Sequence, residues 1–528
     1  MPSAWVQWTM PSVADLFFAA VLCALVFTPL SVKLLGDAGI GWHIRTGQQI
    51  MATHAVPRVD SFSSTMAGRP WYAWEWLYDL VVGWLDATFG LNGPVWLTAL
   101  VIAATFALLF HWLLRLKTDL PIALALLLLA TGASMIHFLA RPHVFSWLLL
   151  VIWFWILDSD ESSSLRFSTP QPVGRLWVLP LLMLLWVNLH GGFLLGFALI
   201  CIFWLGALWN WWQSSDVRIE DTLLRIAARR QLGRLTLAGI ATVAASLANP
   251  YGWRLHAHIY SYLTNRFLVD HIQEFQSPNF HHVAEKCFLA LLLVSVVVLL
   301  GRGRTLRASG ILTVLFSIYA GLTASRNIPF AAILLCMVLG PAVPKARLWG
   351  RFAERMEYID SRVRGHLWPV FVVIFTLAIM AHGGRVGSDQ WMNAHFDPQR
   401  MPVGAANFLA SESIKGPVLS PDYWGGYLIY RLYPGTRVVV DDRHDLYGSE
   451  FFQSYLNLMH VEDGWDRMLR QFNPGCVLLR REDALSNMLR NASGWKSVYS
   501  DELSVLFVSE TETRSPVMSA TGGIPPRN

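Results

Sequence analysis

Apolar runs close to the length of a bilayer core recur through the first three quarters of the chain, and no other feature limits its fold so tightly. A helix needs about 20 apolar residues to cross hydrocarbon, and lipid offers nothing to satisfy a bare backbone. Runs of this kind fall at about 15–35, 94–114, 120–138, 143–158, 176–190, 191–212, 234–249, 286–301, 309–324, 328–344 and 367–383. They predict a polytopic all-α membrane protein with about eleven transmembrane helices. Composition agrees, with 54% hydrophobic and 15% charged residues against roughly 25% charged in soluble domains. Mean hydropathy is +0.41. The first run has no Lys or Arg before it and no small-residue cleavage pattern after it, so it reads as a retained span. The five cysteines have no metal or redox spacing and read as buried thiols.

Charge asymmetry orients the spans. With the N-terminus inside, the inner loops hold eighteen Lys and Arg, among them Arg166, Arg218, Arg234, Arg304, Arg307, Lys345, Arg347, Arg355 and Arg364. The outer loops between later spans hold five: Arg141, Arg254, Arg266, Lys286 and Arg326. The bias obeys the positive-inside rule at every inner loop. The net charge of +5 is therefore a topology signal, and no nucleic-acid partner is expected. A transmembrane domain is predicted over 1–383, with a long first outer loop at 34–93. An extracytoplasmic α/β domain over 384–512 and a disordered tail over 513–528 follow.

Polar residues gather on the outer side. The first outer loop reads as two amphipathic helices, 41–54 and 69–90, the second carrying Trp71, Trp74, Trp76 and Trp84. An interfacial aromatic belt explains the tryptophans. It does not explain Asp37, His43, Asp60 and Glu75 in one loop at the membrane edge, where an unpaired carboxylate is costly. The other outer turns carry "LARPHVFS" with Arg141 and His143, "WVNLHGGFLLG" with His190, "HIQEFQSPNFHH" with Glu274, and "ASRNIPF" with Arg326. Singly, each reads as a loop residue satisfying backbone groups. Together they form the set needed to hold a phosphate and deprotonate a hydroxyl beside lipid.

An Asp just beyond the first span, a long first outer loop, about eleven spans and an outer C-terminal domain resemble the GT-C superfamily of integral membrane glycosyltransferases. "GWHIRTGQQI", "VPRVDSFSST", "GRPWYAWEWL" and "YWGGYLIYRLYPGTRVVVDDRHDLYG" resemble, more narrowly, a bacterial group related to protein mannosyltransferases and aminoarabinose transferases. The chain departs from the wider pattern in having no Asp-Glu pair at Asp37 and no Trp-Trp-Asp in the tail. The resemblance implies a polyprenyl-phosphate sugar donor attacked at the outer face of the bacterial inner membrane, among membrane lipids. Asp37 matches the family's first-loop acidic residue and would act as base, with Asp60 or Glu75 as second acid or acceptor-orienting group. Arg141, His143, His190 and Arg326 would clamp the phosphate. A divalent metal on Asp37, His43 and Glu274 stays open, although no ligand spacing is diagnostic.

In the tail, "TRVVVDD", "GCVLLRR" and "LSVLFVSE" read as strands, and "DYWGGYLIYRL" as a turn into a helix. "DDRHDLYG" follows a strand at its C-terminal end, where open α/β sheets often bind ligands. It reads either as a salt-bridged turn, Asp441 or Asp442 on Arg443, or as an acceptor site with Arg443 and Tyr447 facing a glycan. Two non-transferase readings compete: a flippase or transporter of a lipid-linked intermediate, and a non-catalytic envelope-assembly protein. The former needs polar groups deep within spans, whereas the strong charges here sit at one edge. The loop charges predict that a reporter fused after Gly384 is exported, while one fused at Arg304 or Arg355 stays cytoplasmic; alkaline phosphatase and fluorescent-protein fusions read the outcome.

Overall fold

The computed structural model describes residues 4–164, 174–214, 219–343, 350–360, 362–363, 367–412, 414 and 416–509. Arg166, Arg218, Lys345, Arg347 and Arg364, expected in inner loops, and the 513–528 tail lie outside them. The chain divides into two compact units. The first comprises Met1–Asp37, Thr46–Pro57 and Tyr72–His395; the second comprises Ala38–Arg45, Arg58–Trp71 and Phe396–Asn528.

The first unit is helical, and each of the apolar runs read from the sequence falls on a helix. Among the described residues six helices are long and apolar enough to cross a membrane, and Val13–Phe27, Val178–Leu189, Ala308–Thr323 and Leu367–Ala381 are shorter apolar helices. This is a multi-pass membrane architecture. Its core is Ile328–Leu339, every residue of which is buried. That helix packs against Leu120–Ser134, Val283–Arg302 and Ala308–Thr323, as a helix apolar on all sides must. Exposed side chains on the peripheral helices are large and apolar, such as Leu293, Val297 and Leu300 on one and Val370, Phe371 and Ile374 on another. Water would penalise such faces; hydrocarbon does not.

At one end of His143–Ser164 the last turns are acidic and buried. Asp160 pairs with Arg234 at 3.0 Å, and Glu161 accepts from Ser309 Oγ at 2.7 Å beside Arg307 at 3.4 Å. Two arginines counted in the charge bias thus also tie three helices together.

In the second unit a four-stranded sheet runs Val418–Leu419, Cys476–Arg480, Ser504–Ser509, Trp495–Ser500 in spatial order. The first pair is parallel and the others antiparallel. Trp495–Ser500 forms the edge, with a register break between Ser497 and Tyr499 and Lys496 exposed. The "TRVVVDD" run expected to be a strand makes only single-residue bridges, from Val438 to Val418 and to Ser63. The region 69–90 is helical only from Trp76 to Phe89. Its start instead pairs with the chain at 58–60, through Trp71 N–H to the Arg58 carbonyl and Asp60 N–H to the Arg69 carbonyl, and Pro70 cannot extend a helix backwards.

The helix Ile40–Thr53 explains two glycines of "GWHIRTG". A Cβ on Gly41 would overlap the Gly426 carbonyl in the second unit; one on Gly47 would overlap the Asp79 carbonyl in the first, next to Gly83. Both contacts demand backbone-to-backbone approach. Gly47→Ala should therefore lower the melting midpoint, at about 1–3 kcal/mol of overpacking. Gly233→Ala, which meets nothing within 4 Å, should be neutral or stabilising in the same thermal unfolding assay because it removes a helix-interior glycine.

Candidate active site

His190 ends the helix Val178–Leu189 in extended geometry and leads into the turn Gly191–Phe193. Its Nδ1 accepts the Gly192 N–H at 3.0 Å and lies 2.8 Å from Ser146 Oγ. Ser146 Oγ in turn accepts the Trp186 indole N–H at 2.7 Å, which leaves its own proton for His190. With Nδ1 an acceptor twice over, the imidazole proton sits on Nε2. Nε2 faces Glu75 Oε1 at 3.7 Å, both side chains being mostly buried. A side chain at position 192 would collide with Ser146 Oγ and His190 Nδ1, so the glycine is required.

Glu75 is set by the residue that follows it. Trp76 donates its indole N–H to Asn188 Oδ1 at 2.7 Å, and Asn188 donates to the Leu184 and Ala248 carbonyls. Asp37 is set by the turn before His143: Ala140 N–H bonds the Leu34 carbonyl at 2.7 Å, and Arg141 Nη1 meets Asp37 Oδ1 at 3.3 Å. This pair is partly open, with side chains 23% and 33% exposed for Arg141 and Asp37. His143 Nε2 lies 2.8 Å from the His137 carbonyl, and its ring centroid is 6.4 Å from that of His190. Arg326 pairs with Glu274 at 3.4 Å and lies over Phe275 at 4.6 Å.

These residues form one electrostatic neighbourhood. Burial, then the charges of Arg326 and Arg141, push His190 down to about 3, against the opposing pull of Glu274. Tyr78, one turn after Glu75 and buried, has its phenol raised well above the usual range by burial and by Asp79, Glu75 and Asp37, with Arg141 opposing. The first unit thus brings together Asp37, Glu75, Arg141, His143, His190, Glu274 and Arg326. Asn188, which stands with His190 in the "WVNLHGGFLLG" turn, completes the arrangement together with Tyr78, Ser146 and Trp186, and these last three were not singled out from the sequence. Only the one-turn spacing of Tyr78 from Glu75 signalled any of them.

The remaining candidates belong to the second unit. Arg443 Nη2 contacts Asp60 Oδ1 at 2.8 Å and Asp441 Oδ2 at 2.7 Å, and Tyr447 donates to Asp441 at 2.8 Å. Asp60 also accepts from Ser63 Oγ at 2.7 Å and from the Ser63 and Phe62 N–H groups. Trp71, Phe62 and Trp42 enclose the guanidinium. Burial alone would raise the Asp60 carboxyl, but Arg443 and the Ser63 and Phe62 donors hold it below its usual range. Asp60, Arg443 and Tyr447 are thus buried in a clasp between two chain segments, and the surface placement that acceptor binding requires is not what these side chains have. His43 is buried and stacked on Trp42 at 3.6 Å. Among the described residues no three His, Cys, Asp or Glu side chains gather into a cation site, so Asp37, His43 and Glu274 do not assemble one.

No family model and no curated protein matches the sequence. Solved structures do match. The apo crystal structure of the Archaeoglobus fulgidus oligosaccharyltransferase aligns with a TM-score of 0.52 at 12% identity, over 89% of this chain and 69% of that one. The apo crystal structure of ArnT from Cupriavidus metallidurans aligns with a TM-score of 0.50 at 13% identity, over 95% and 98%. The chain shares its fold with these two proteins. Within that fold the turns read from the sequence as outer ones carry the charged cluster.

His190 offers a direct check on this geometry. In the unfolded chain its proton binds near 6.5; in the folded protein it binds only at about 3. A depressed folded value leaves stability intact above 6.5 and removes it as pH falls toward 3. At pH 5 the loss amounts to about 2 kcal/mol. Melting midpoints of the wild type and His190→Gln should therefore converge between pH 7.5 and pH 5, whereas a constant gap would show that His190 protonates freely when folded.

Proposed function

We propose that the protein is a membrane glycosyltransferase that moves a sugar from a polyprenyl-phosphate donor to an acceptor hydroxyl at the extracytoplasmic face of a bacterial inner membrane. The observation that carries this reading is the meeting of Asp37–Arg141 with Glu75–His190 at the ends of apolar helices. An apolar groove of about 370 Å³, lined by Leu77, Val81, Phe145, Leu148, Leu185, Leu189 and the Tyr78 ring, opens beside the same residues and suits a lipid chain. The GT-C fold supports the reaction class.

In the reaction, the acceptor oxygen forms a bond to the anomeric carbon as the bond from that carbon to the donor phosphate oxygen breaks. The electron pair leaves with the phosphate, and the acceptor proton passes to Asp37. Asp37 is open enough to meet an acceptor, and its carboxylate lies beside the Arg141 guanidinium at 3.3 Å. Arg141 and Arg326 can turn part of their charge from their carboxylates onto the departing phosphate. His190, neutral and with its proton on Nε2, orients Glu75, which in turn aligns the acceptor. His143 packs beside His190 as part of the phosphate side.

Radiolabelled sugar transfer from membrane polyprenyl-phosphate donors tests the proposal. Asp37→Asn keeps the size and the hydrogen-bonding oxygen but cannot take the proton; it should accumulate in the membrane normally and lose transfer. Arg141→Ala and Arg326→Ala should each lose roughly 30- to 1000-fold in rate, or about 2–4 kcal/mol of transition-state stabilisation. Near-wild-type transfer by Asp37→Asn would eliminate the base assignment.

A further inference from the structure

The segment that delivers Glu75 to His190 also carries a row of aromatic rings that the proposed chemistry leaves without a role. Tyr72 lies face to face with the His258 imidazole, with centroids 4.3 Å apart and planes at 19°. Tyr251 adjoins Tyr72 at 4.9 Å, and Trp74 adjoins His258 at 5.0 Å, both tilted by 53°. The sequence of contacts is Tyr251, Tyr72, His258, Trp74. All four side chains are half-buried.

We infer that this row is a saccharide-binding wall that seats a pyranose ring next to the Glu75–His190 pair; the inference rests on the transferase reading above and adds to it a place for the sugar. Three observations favour it. The wall is held rigid: the Tyr251 hydroxyl donates to the Pro57 carbonyl at 3.0 Å and accepts the Ala73 N–H at 2.8 Å, pinning the segment between the two rings it carries. It is continuous with the site, because Glu75 directly follows Trp74 and Trp76 is bonded to Asn188. It also differs from an interfacial belt, whose rings insert singly into lipid. Trp253 and Tyr260 on the neighbouring helix, 66% and 72% exposed, fit the belt description. The four-ring row is half-buried, cross-bonded and mixed with imidazole and hydroxyl groups. The C–H face of a pyranose carries partial positive charge and rests favourably on the electron-rich face of an aromatic ring, while its hydroxyls find donors and acceptors at the rim. An acyl chain has no use for those rim groups.

Saturation-transfer NMR on the full chain in nanodiscs of sugar-free phospholipid tests the wall. The probes are methyl pyranosides of glucose, galactose, mannose and N-acetylglucosamine, with sorbitol as an open-chain control. Transfer to the ring C–H protons of at least one pyranoside is expected, with sorbitol silent. The signal should fall at least fivefold in Trp74→Leu and His258→Leu and persist in Trp74→Phe. Irradiation confined to aromatic protons of a deuterated sample gives the same reading in the wild type, should a Leu variant fail to fold. Absence of transfer to every pyranoside, an equal sorbitol signal, or signals unchanged in folded Leu variants would overturn the wall. Asp37→Asn should bind the same pyranoside undiminished. Ring-dependent binding in a protein that transfers no sugar would leave the wall standing and remove the transferase reading; transfer without ring-dependent binding would do the reverse.

Discussion

Charge held beside hydrocarbon has to be met by opposite charge or by hydrogen bonds, and this requirement organises the first unit. At one end of His143–Ser164 it is met by Arg234, Arg307 and Ser309 closing on Asp160 and Glu161. Near the other end it is met by Asp37 on Arg141, with Glu75 facing the neutral His190 at 3.7 Å. The two ends differ in openness. Glu161 is 1% exposed and saturated, so its network holds helices together. Asp37 is a third exposed and Arg141 nearly a quarter, so this pair can exchange partners with an incoming anion and hydroxyl. Similar chemistry serves cohesion in one place and exchange in the other, and solvent access separates them.

The second unit repeats the lesson in an extreme form. Arg443 is enclosed by two carboxylates and three aromatic rings with almost no exposure. Breaking such a pair would strand a buried charge, so the clasp has only one stable state. It fastens 58–71 to the C-terminal segment within this unit.

The helices were legible because a bilayer forces apolar runs of fixed length, and the outer turns were legible because charges concentrate there. The seven first-unit candidates were named for that reason. What the sequence could not tell was which way a charge faces. Arg443 and Tyr447 lie in a polar motif after an apolar run, which reads equally well as a surface or a clasp; their partner Asp60 is in a distant part of the chain. Ser146 and Trp186 were invisible because a serine and a tryptophan inside apolar helices carry no polar pattern, and only folding brings them to His190. The valines of "TRVVVDD" promised a strand by propensity, but tertiary placement leaves them with single bridges.

The edge strand Trp495–Ser500 has its pairing interrupted between Ser497 and Tyr499 and presents Lys496 to the outside. A broken register and a protruding lysine both discourage another chain from adding a strand there. The sheet is thereby closed to growth at that margin. Recognition of an extended peptide by strand addition is unfavourable at this face, and the same device guards the domain against edge-to-edge aggregation while the chain is being inserted and folded.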